Sequence, residues 1–353
     1  MPYFDPHALQ SFVARMFVAA GVEGSEAGTV ATSLVESNLR GHDSHGVILS
    51  RWYLSQLKHG ELVAGAPWEI VRETAGLVVA DGHLGFGQVQ CPRLMERLME
   101  KARETGVASG TLRRCGHVGR LGEWVEMVAA RGLAGLIAVN DNGAIRTVAP
   151  PGGIAPRLST NPIGIAVPTG NGPLVLDIST SAVANGKLKI ARLAGKPVPL
   201  GWIQDSQGNP TTDPQVMLAD PPGCLLPFGG DQSYKGFGLG LLFDILVAGL
   251  AGGLCPPAPE GTLECNNVLA IVWDPELCAG RGHFLGEADK LLEEIRNTPR
   301  KAGVDRIRLP GERAERTREE RLKTGILLEG EQWETLVSIA QNLNVVPPEP
   351  ASM

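Results

Sequence analysis

Arg40-Gly41-His42-Asp43-Ser44-His45-Gly46-Val47-Ile48 places two histidines, a carboxylate and a hydroxyl in a turn bracketed by glycines, directly after an amphipathic helix. Imidazole is the one side chain whose unperturbed pKa lies close to neutrality. It gives or takes a proton at neutral pH with little tuning. The plainer reading is a helix-ending turn whose polar groups cap backbone, and two further segments described below weigh against it. Asp43-Ser44-His45 also invites a hydrolase reading. Residues adjacent in sequence, however, do not normally face one another as nucleophile and base, and no GxSxG elbow is present.

Working outward, the first sixty residues read as helical. Asp5-Pro6 supplies an N-cap and a proline at the first helical position, and Leu9, Phe12, Val13, Met16 and Phe17 recur at helical spacing. Ser25 is expected to cap a second helix that faces Val30, Leu34 and Val35 inward and ends at Gly41. A third is expected over residues 47–58, closing at His59-Gly60. From Trp68 onward short β-rich runs alternate with helices. Strands are expected at 76–80, 107–112, 134–140, 164–168, 174–178 and 268–273, and helices at 92–105 and 121–131. A Pro/Gly-dense loop spans 195–227, long enough to cover something or meet a partner. Helices 287–296 and 331–343 and a charged helical face at 312–323 close the chain. The expectation is a mixed α/β protein. Residues 1–70 and 285–353 form one discontinuous helical domain, and residues 71–284 form an inserted α/β domain.

Composition narrows the function. The chain of 353 residues has a net charge of −6, which leaves no basic excess for a nucleic-acid partner. Six cysteines lie without any CxxC pair, as expected of reduced thiols in a cytoplasmic protein. The N-terminus shows no basic stretch followed by an apolar one, so no signal peptide is expected. The apolar segment 237–254 approaches the ~20 residues a bilayer requires. It is studded with glycines and interrupted by Asp244, and it is read as a buried core helix, with no membrane partner.

Three other constellations could carry chemistry. Cys115-Gly116-His117-Val118-Gly119-Arg120 sets a histidine between a strand end and a helix start, where the helix N-terminus favours an anion. Ser159-Thr160-Asn161-Pro162 and Asp177-Ile178-Ser179-Thr180-Ser181 offer hydroxyls for a phosphate or ribose, or simply a series of helix caps. Ser233-Tyr234-Lys235-Gly236-Phe237-Gly238 puts a lysine at a glycine-rich helix start, a plausible pyrophosphate contact. There is no P-loop, no Rossmann GxGxxG fingerprint and no HExxH or other clear zinc pattern, so no metal is expected and a dinucleotide site would need another architecture.

Together these segments resemble the malate/L-lactate dehydrogenase family, which also contains L-sulfolactate and ureidoglycolate dehydrogenases and diketogulonate and piperideine-2-carboxylate reductases. Residues 40–46 match its RGxDSHG block. Asp81-Gly82 with Gly85-Phe86-Gly87-Gln88 resembles its DGxxGxGQ turn, and His117-Val118-Gly119 its NHxG step, with Cys115-Gly116 where many members have Ser-Asn. Ser159–Pro162, Leu176-Asp177 with Thr180-Ser181, Tyr234-Lys235-Gly236 and Pro310-Gly311-Glu312 follow in the family's order. The resemblance implies a non-Rossmann, L-sulfolactate/malate dehydrogenase-like fold and a homodimer with its active site in a cleft between domains. It implies NAD or NADP as cofactor and a small 2-oxo or 2-hydroxy acid as substrate, with a cyclic imino acid reductase or a noncatalytic nucleotide-binding relative as alternatives. By position, His45, His117 and Asp177 would be catalytic. Ser44, Arg51, Arg120 and Asn161 would meet substrate. Asn140, Thr160, Asp177, Ser179, Thr180, Lys235, Gly311 and Glu312 would line the cofactor. One departure bears on substrate: several members carry an arginine where this chain has Leu49, and Arg51 lies two residues further on.

Overall fold

The computed structural model describes residues 2–351; Met1, Ser352 and Met353, which the expected domain division includes, lie outside the described residues. Helices α1 (Pro6–Ala19), α2 (Gly24–Leu39) and α3 (Ser50–His59) open the chain, with two 3-10 turns, Asp43–His45 and Val47–Leu49, between the last two. Asp5 caps α1 as expected, its carboxylate taking the Ala8 amide at 2.8 Å ahead of Pro6. Helix α2 is capped differently from the expectation. Glu23, not Ser25, supplies the oxygen, accepting from the Ser25 and Glu26 amides. The start is also not wholly helical, because β1 (Tyr3–Phe4) pairs antiparallel with β12 (Ile326–Leu327). That partner lies more than three hundred residues away, so no local pattern marks it.

A seven-stranded sheet forms the centre. Its strands are β2 (Glu69–Glu73), β3 (Leu77–Asp81), β4 (Val107–Cys115), β5 (Ala134–Asn140), β6 (Ile163–Val167), β7 (Leu174–Ile178) and β11 (Asn266–Trp273), in the order β2-β3-β4-β11-β5-β6-β7. Only β3 and β4 run parallel, joined by helix α4 (Gly87–Thr105); every other neighbour pair is antiparallel. This is not the all-parallel sheet of a Rossmann domain. Helix α5 (Leu121–Ala129) packs with α4 on one face, burying Leu94, Met95, Leu98, Trp124, Val125 and Val128 against Val78, Leu112, Ile137 and Val268. A separate apolar cluster joins Phe4, Leu9, Phe12, Phe17, Leu34, Tyr53 and Phe86 to Ile326 and to Leu336 of α11 (Gly330–Asn342).

The expected loop 195–227 is more ordered than its Pro/Gly density implies. It carries β8 (Ile203–Gln204), β9 (Pro210–Thr211) and β10 (Cys224–Leu225), which form a small antiparallel sheet. Val198, Ile203 and Leu225 bury a core of their own with Leu188 of α6 (Asn185–Leu193). Helix α7 (Tyr234–Ala251) also departs from the buried core helix expected there. Its small residues Gly236, Gly240, Ala248 and Ala251 face inward with Asp244 and Val247, while Leu242, Ile245, Leu246 and Leu250 are 60%, 51%, 45% and 56% exposed. A helix apolar on all sides carries no amphipathic signal to tell its inner face from its outer one. The remaining helices are α8 (Pro275–Cys278), α9 (Arg281–Arg296) and α10 (Glu312–Thr324). Asp289 of α9 holds the Gly170 amide in the β6–β7 turn at 2.9 Å.

Candidate active site

The turn at residues 43–46 is braced from two sides. The Asn38 amide donates to Asp43 at 2.7 Å and its oxygen accepts the Val47 amide at 2.8 Å. A Cβ on Gly46 would overlap that carboxamide, which explains the glycine there. Arg321 of α10 donates to the other Asp43 oxygen at 3.0 Å. Asp43 is thus occupied with structure, and Ser44 and His45 are left to face the interior. Ser44 Oγ lies 3.0 Å from His45 Nδ1. The start of α6 closes over them, since a Cβ on Gly186 would overlap the Ser44 side chain.

His117 arrives from the end of β4. Its turn is pinned by Asn266, whose oxygen takes the Val118 amide at 3.0 Å. At the start of α4, a Cβ on Gly87 would run into the backbone of Gly116, His117 and Val118, so the Gly85–Gln88 motif is a close approach of two backbones. The two imidazoles face each other with ring centroids 5.6 Å apart. Tyr53 Oη stands 2.7 Å from His117 Nδ1, Gln88 Nε2 donates to that phenol at 2.9 Å, and Trp52 meets the His117 ring edge-on at 5.5 Å.

Asp177, at the end of β7, accepts the Gly122 amide in the first turn of α5 at 2.7 Å. Arg120 is buried and held by a two-pronged pair with Glu126 at 2.9 and 2.7 Å. The missing Cβ of Gly122 leaves room for the Arg120 guanidinium beside the Asp177 carboxylate. Arg40 also reaches Glu126, at 3.4 Å.

Electrostatics tie these groups together. Burial pushes the His45 pKa below its ordinary value, Asp177 pulls it back up and Arg120 pushes it down. Burial raises Asp177, with the Gly122 amide, Arg120 and His45 opposing. His117 is lowered to about 3 by burial and by His45. His42 is lowered to about 3 by burial and then by Arg120, His45, Arg313 and Lys187. Arg120 stays protonated because its bonds to Glu126 outweigh its burial. The result is a largely desolvated cluster in which two imidazoles, their charged forms disfavoured by burial, stand beside the Asp177 carboxylate and the Arg120–Glu126 pair, a setting suited to proton transfer.

The expected cofactor residues fall elsewhere. Lys235 is exposed in the first turn of α7. That turn lies directly on the hydroxyl segment, where a Cβ on Gly236 would come within 3.0 Å of the Thr180 carbonyl. Thr180 Oγ1 donates to the Thr160 carbonyl at 2.9 Å, and Ser179 Oγ to the Ser181 carbonyl at 3.2 Å. Gly311, at φ +86°, backs onto Val175 of β7, and Glu312 accepts from Arg296 and from the Leu309 amide. An exposed ammonium at a helix N-terminus fits the phosphates of a dinucleotide, while the hydroxyls beneath it are spent on backbone carbonyls.

Three residues sit apart from this gathering or are already engaged. Arg51 is exposed and lines a surface groove with Glu331 and Glu334 of α11. Asn140 and Asn161 both donate to the buried Asp244 of α7, at 2.8 and 2.9 Å, and fasten α7 to the sheet. Conversely, sequence reasoning left out Tyr53, Gln88 and Glu126. Gln88 closes the glycine motif quoted above, and its place there is the one signal that pointed to it.

The family described as Malate/L-lactate dehydrogenase matches residues 4–337. L-lactate dehydrogenase of Cupriavidus necator is 37% identical over 341 residues, covering 95% of this chain and 97% of that protein. The structure of malate dehydrogenase from Pyrococcus horikoshii superposes with a TM-score of 0.88 at 32% identity, covering 98% of this chain and 97% of that one. Delta1-piperideine-2-carboxylate reductase from Pseudomonas syringae pvar. tomato superposes with a TM-score of 0.82 at 31% identity, covering 96% and 100%.

Proposed function

The chain belongs to the malate/L-lactate dehydrogenase family, and from that membership we propose that this dehydrogenase interconverts a small 2-oxo acid and its 2-hydroxy acid, of the malate, lactate, sulfolactate or ureidoglycolate type. The observation that carries the reading is the pair of facing imidazoles, 5.6 Å apart, set against Asp177 and Arg120. In this reading NAD or NADP, when bound, supplies or accepts the hydride. Lys235 meets its phosphates. Thr160, Asp177, Ser179, Thr180, Gly311 and Glu312 line its path. His45 gives a proton to the substrate oxygen in reduction and takes it back in oxidation, while His117 lies against the same substrate. Asp177 keeps the His45 imidazole oriented and offsets the burial that disfavours its charged form. Arg120, with Ser44, favours the substrate's carboxylate.

The same reading places residues 1–70 and 285–353 in one unit and 71–284 in the other, with the substrate between them. It makes the protein a cytoplasmic homodimer, and the exposed leucine face of α7 supports a second copy there. A cyclic imino acid substrate is the second reading. It is favoured by the likeness to a piperideine-2-carboxylate reductase. The test is a panel of 2-oxo acids and cyclic imino acids with NADH and NADPH, followed at the reduced-nicotinamide absorbance. His45→Ala should lower turnover by roughly 10²–10⁴-fold with cofactor binding retained. Unchanged turnover rejects the role of His45, and a silent panel with normal NADH binding points to a noncatalytic binder.

A further inference from the structure

Two donors converge on one nitrogen of His117. The Gly119 backbone N–H donates to Nδ1 at 3.3 Å, and Tyr53 Oη lies 2.7 Å from the same atom. A backbone amide cannot reverse its role, so Nδ1 is an acceptor. The Tyr53 hydroxyl therefore donates to it, and the phenol oxygen is in turn occupied by Gln88 Nε2 at 2.9 Å. A neutral imidazole that accepts at Nδ1 carries its proton at Nε2. Tyr53 and Gln88 are each 1% exposed, so water does not compete for these bonds. The titratable groups facing the assembly are His45 from the 43–45 turn, Cys115 at the end of β4 and Glu123 from α5.

Resting on the dehydrogenase reading above, we propose that Tyr53 and Gln88 are positioning residues that lock His117 as its neutral Nε2–H tautomer. His117 then acts as a fixed hydrogen-bond donor to the substrate's oxo oxygen, while His45 alone exchanges the proton. In reduction the carbonyl carbon receives the hydride from reduced nicotinamide, the oxygen receives the His45 proton, and the His117 Nε2–H bond stays intact. Protonating His117 would need a hydrogen on Nδ1. That breaks the Gly119 bond and turns the Tyr53 hydroxyl around. The burial that lowers this ring to about 3 acts in the same direction. Among the described residues His45 has no backbone donor on its Nδ1, only the Ser44 hydroxyl, which can donate or accept. Its proton inventory is therefore free to change.

The experiment is nitrogen-15 NMR on the full chain labelled at histidine, without substrate, with the His117 signals assigned by their loss in His117→Gln. The expected result is a ring protonated at Nε2 and bare at Nδ1, unchanged from about pH 5 to about pH 9. Tyr53→Phe should admit the second tautomer and lower kcat roughly 10-fold or more, with little change in KM. It should also add an ionisation to the pH profile. A wild-type His117 that titrates near neutrality, or that carries its hydrogen on Nδ1, overturns the proposal. So does a Tyr53→Phe protein with unaltered tautomer and profile. If Tyr53→Phe does not fold, the wild-type spectrum decides alone. A silent substrate panel beside the expected spectrum would sink the dehydrogenase reading and leave the tautomer standing.

Discussion

Replacing Glu126 by Gln tests whether the Arg120–Glu126 pair holds the pocket together. Arg120 is 3% exposed, its guanidinium cannot shed its charge, and both its bonds to a carboxylate go to Glu126. Removing one partner of a fully buried pair costs about 3–5 kcal/mol, chiefly by stranding the other charge. Here the Glu126 side chain is 18% exposed and Asp177 remains nearby as a counter-charge, so the lower figure of about 2–3 kcal/mol applies. The partly exposed Arg40 contact adds no more than about 1 kcal/mol. For a chain of this length that corresponds to a fall in Tm of roughly 3–4 °C, read by circular dichroism with the wild type alongside. The double variant Arg120→Met/Glu126→Leu removes both members of the pair, leaving Asp177 as the carboxylate that loses a cation, and should be destabilised by less than the two single variants combined. A Glu126→Gln shift below about 1 °C, or a strictly additive double variant, would refute the reasoning.

Other outcomes follow from the same geometry. His42 and His117, held at about 3 against an ordinary 6.5, stay neutral in the fold while the unfolded chain protonates. Their contribution is complete above pH 6.5 and is lost as pH falls from there towards about 3. Tm should drop across that window, and less steeply in a His42→Gln/His117→Gln protein. Glu123, raised to about 7 by burial, works the other way: its contribution is full below its ordinary 4.5 and is lost as pH rises through 7. Glu123→Gln should therefore raise Tm at alkaline relative to acidic pH. Lys235→Ala should weaken NADH or NADPH binding roughly 10-fold or more, the worth of a charge-assisted bond, with the fold unchanged by circular dichroism. Leu242→Glu with Leu246→Glu, on the open face of α7, should turn a dimer into a folded monomer by light scattering; a wild type that is already monomeric would remove the argument for that interface.

How much of this was legible in sequence depended on range. Strands β5 and β7 fall on the expected residues because short apolar runs, Leu136–Val139 and Leu174–Leu176, between turn signals are a local pattern. The two imidazoles were visible because each sits in a glycine-marked turn. The β1–β12 pairing, the small sheet inside the Pro/Gly-dense stretch and the open face of α7 were not. The first is set by a partner at the far end of the chain and the last by what does not cover it, while the small sheet is built from two-residue strands too short to show a period. Asn161 shows the same limit inside the site. Its motif was readable as a ligand contact, yet its amide goes to Asp244 and Gly240 of α7. Tyr53 gave no signal, because an aromatic residue at helical spacing reads as core and its one functional feature is a hydroxyl aimed across sixty-four positions.

The seating of Ile326 and Leu336 among Phe4, Phe12 and Leu34 has a consequence for synthesis. The first helices leave the ribosome with a greasy seat that nothing nearby in the chain can fill. At about 5–20 residues per second, roughly 15–60 s pass before the last helix emerges to cap it. A chain ended anywhere before residue 326 would lack Ile326 and Leu336 and leave that surface bare.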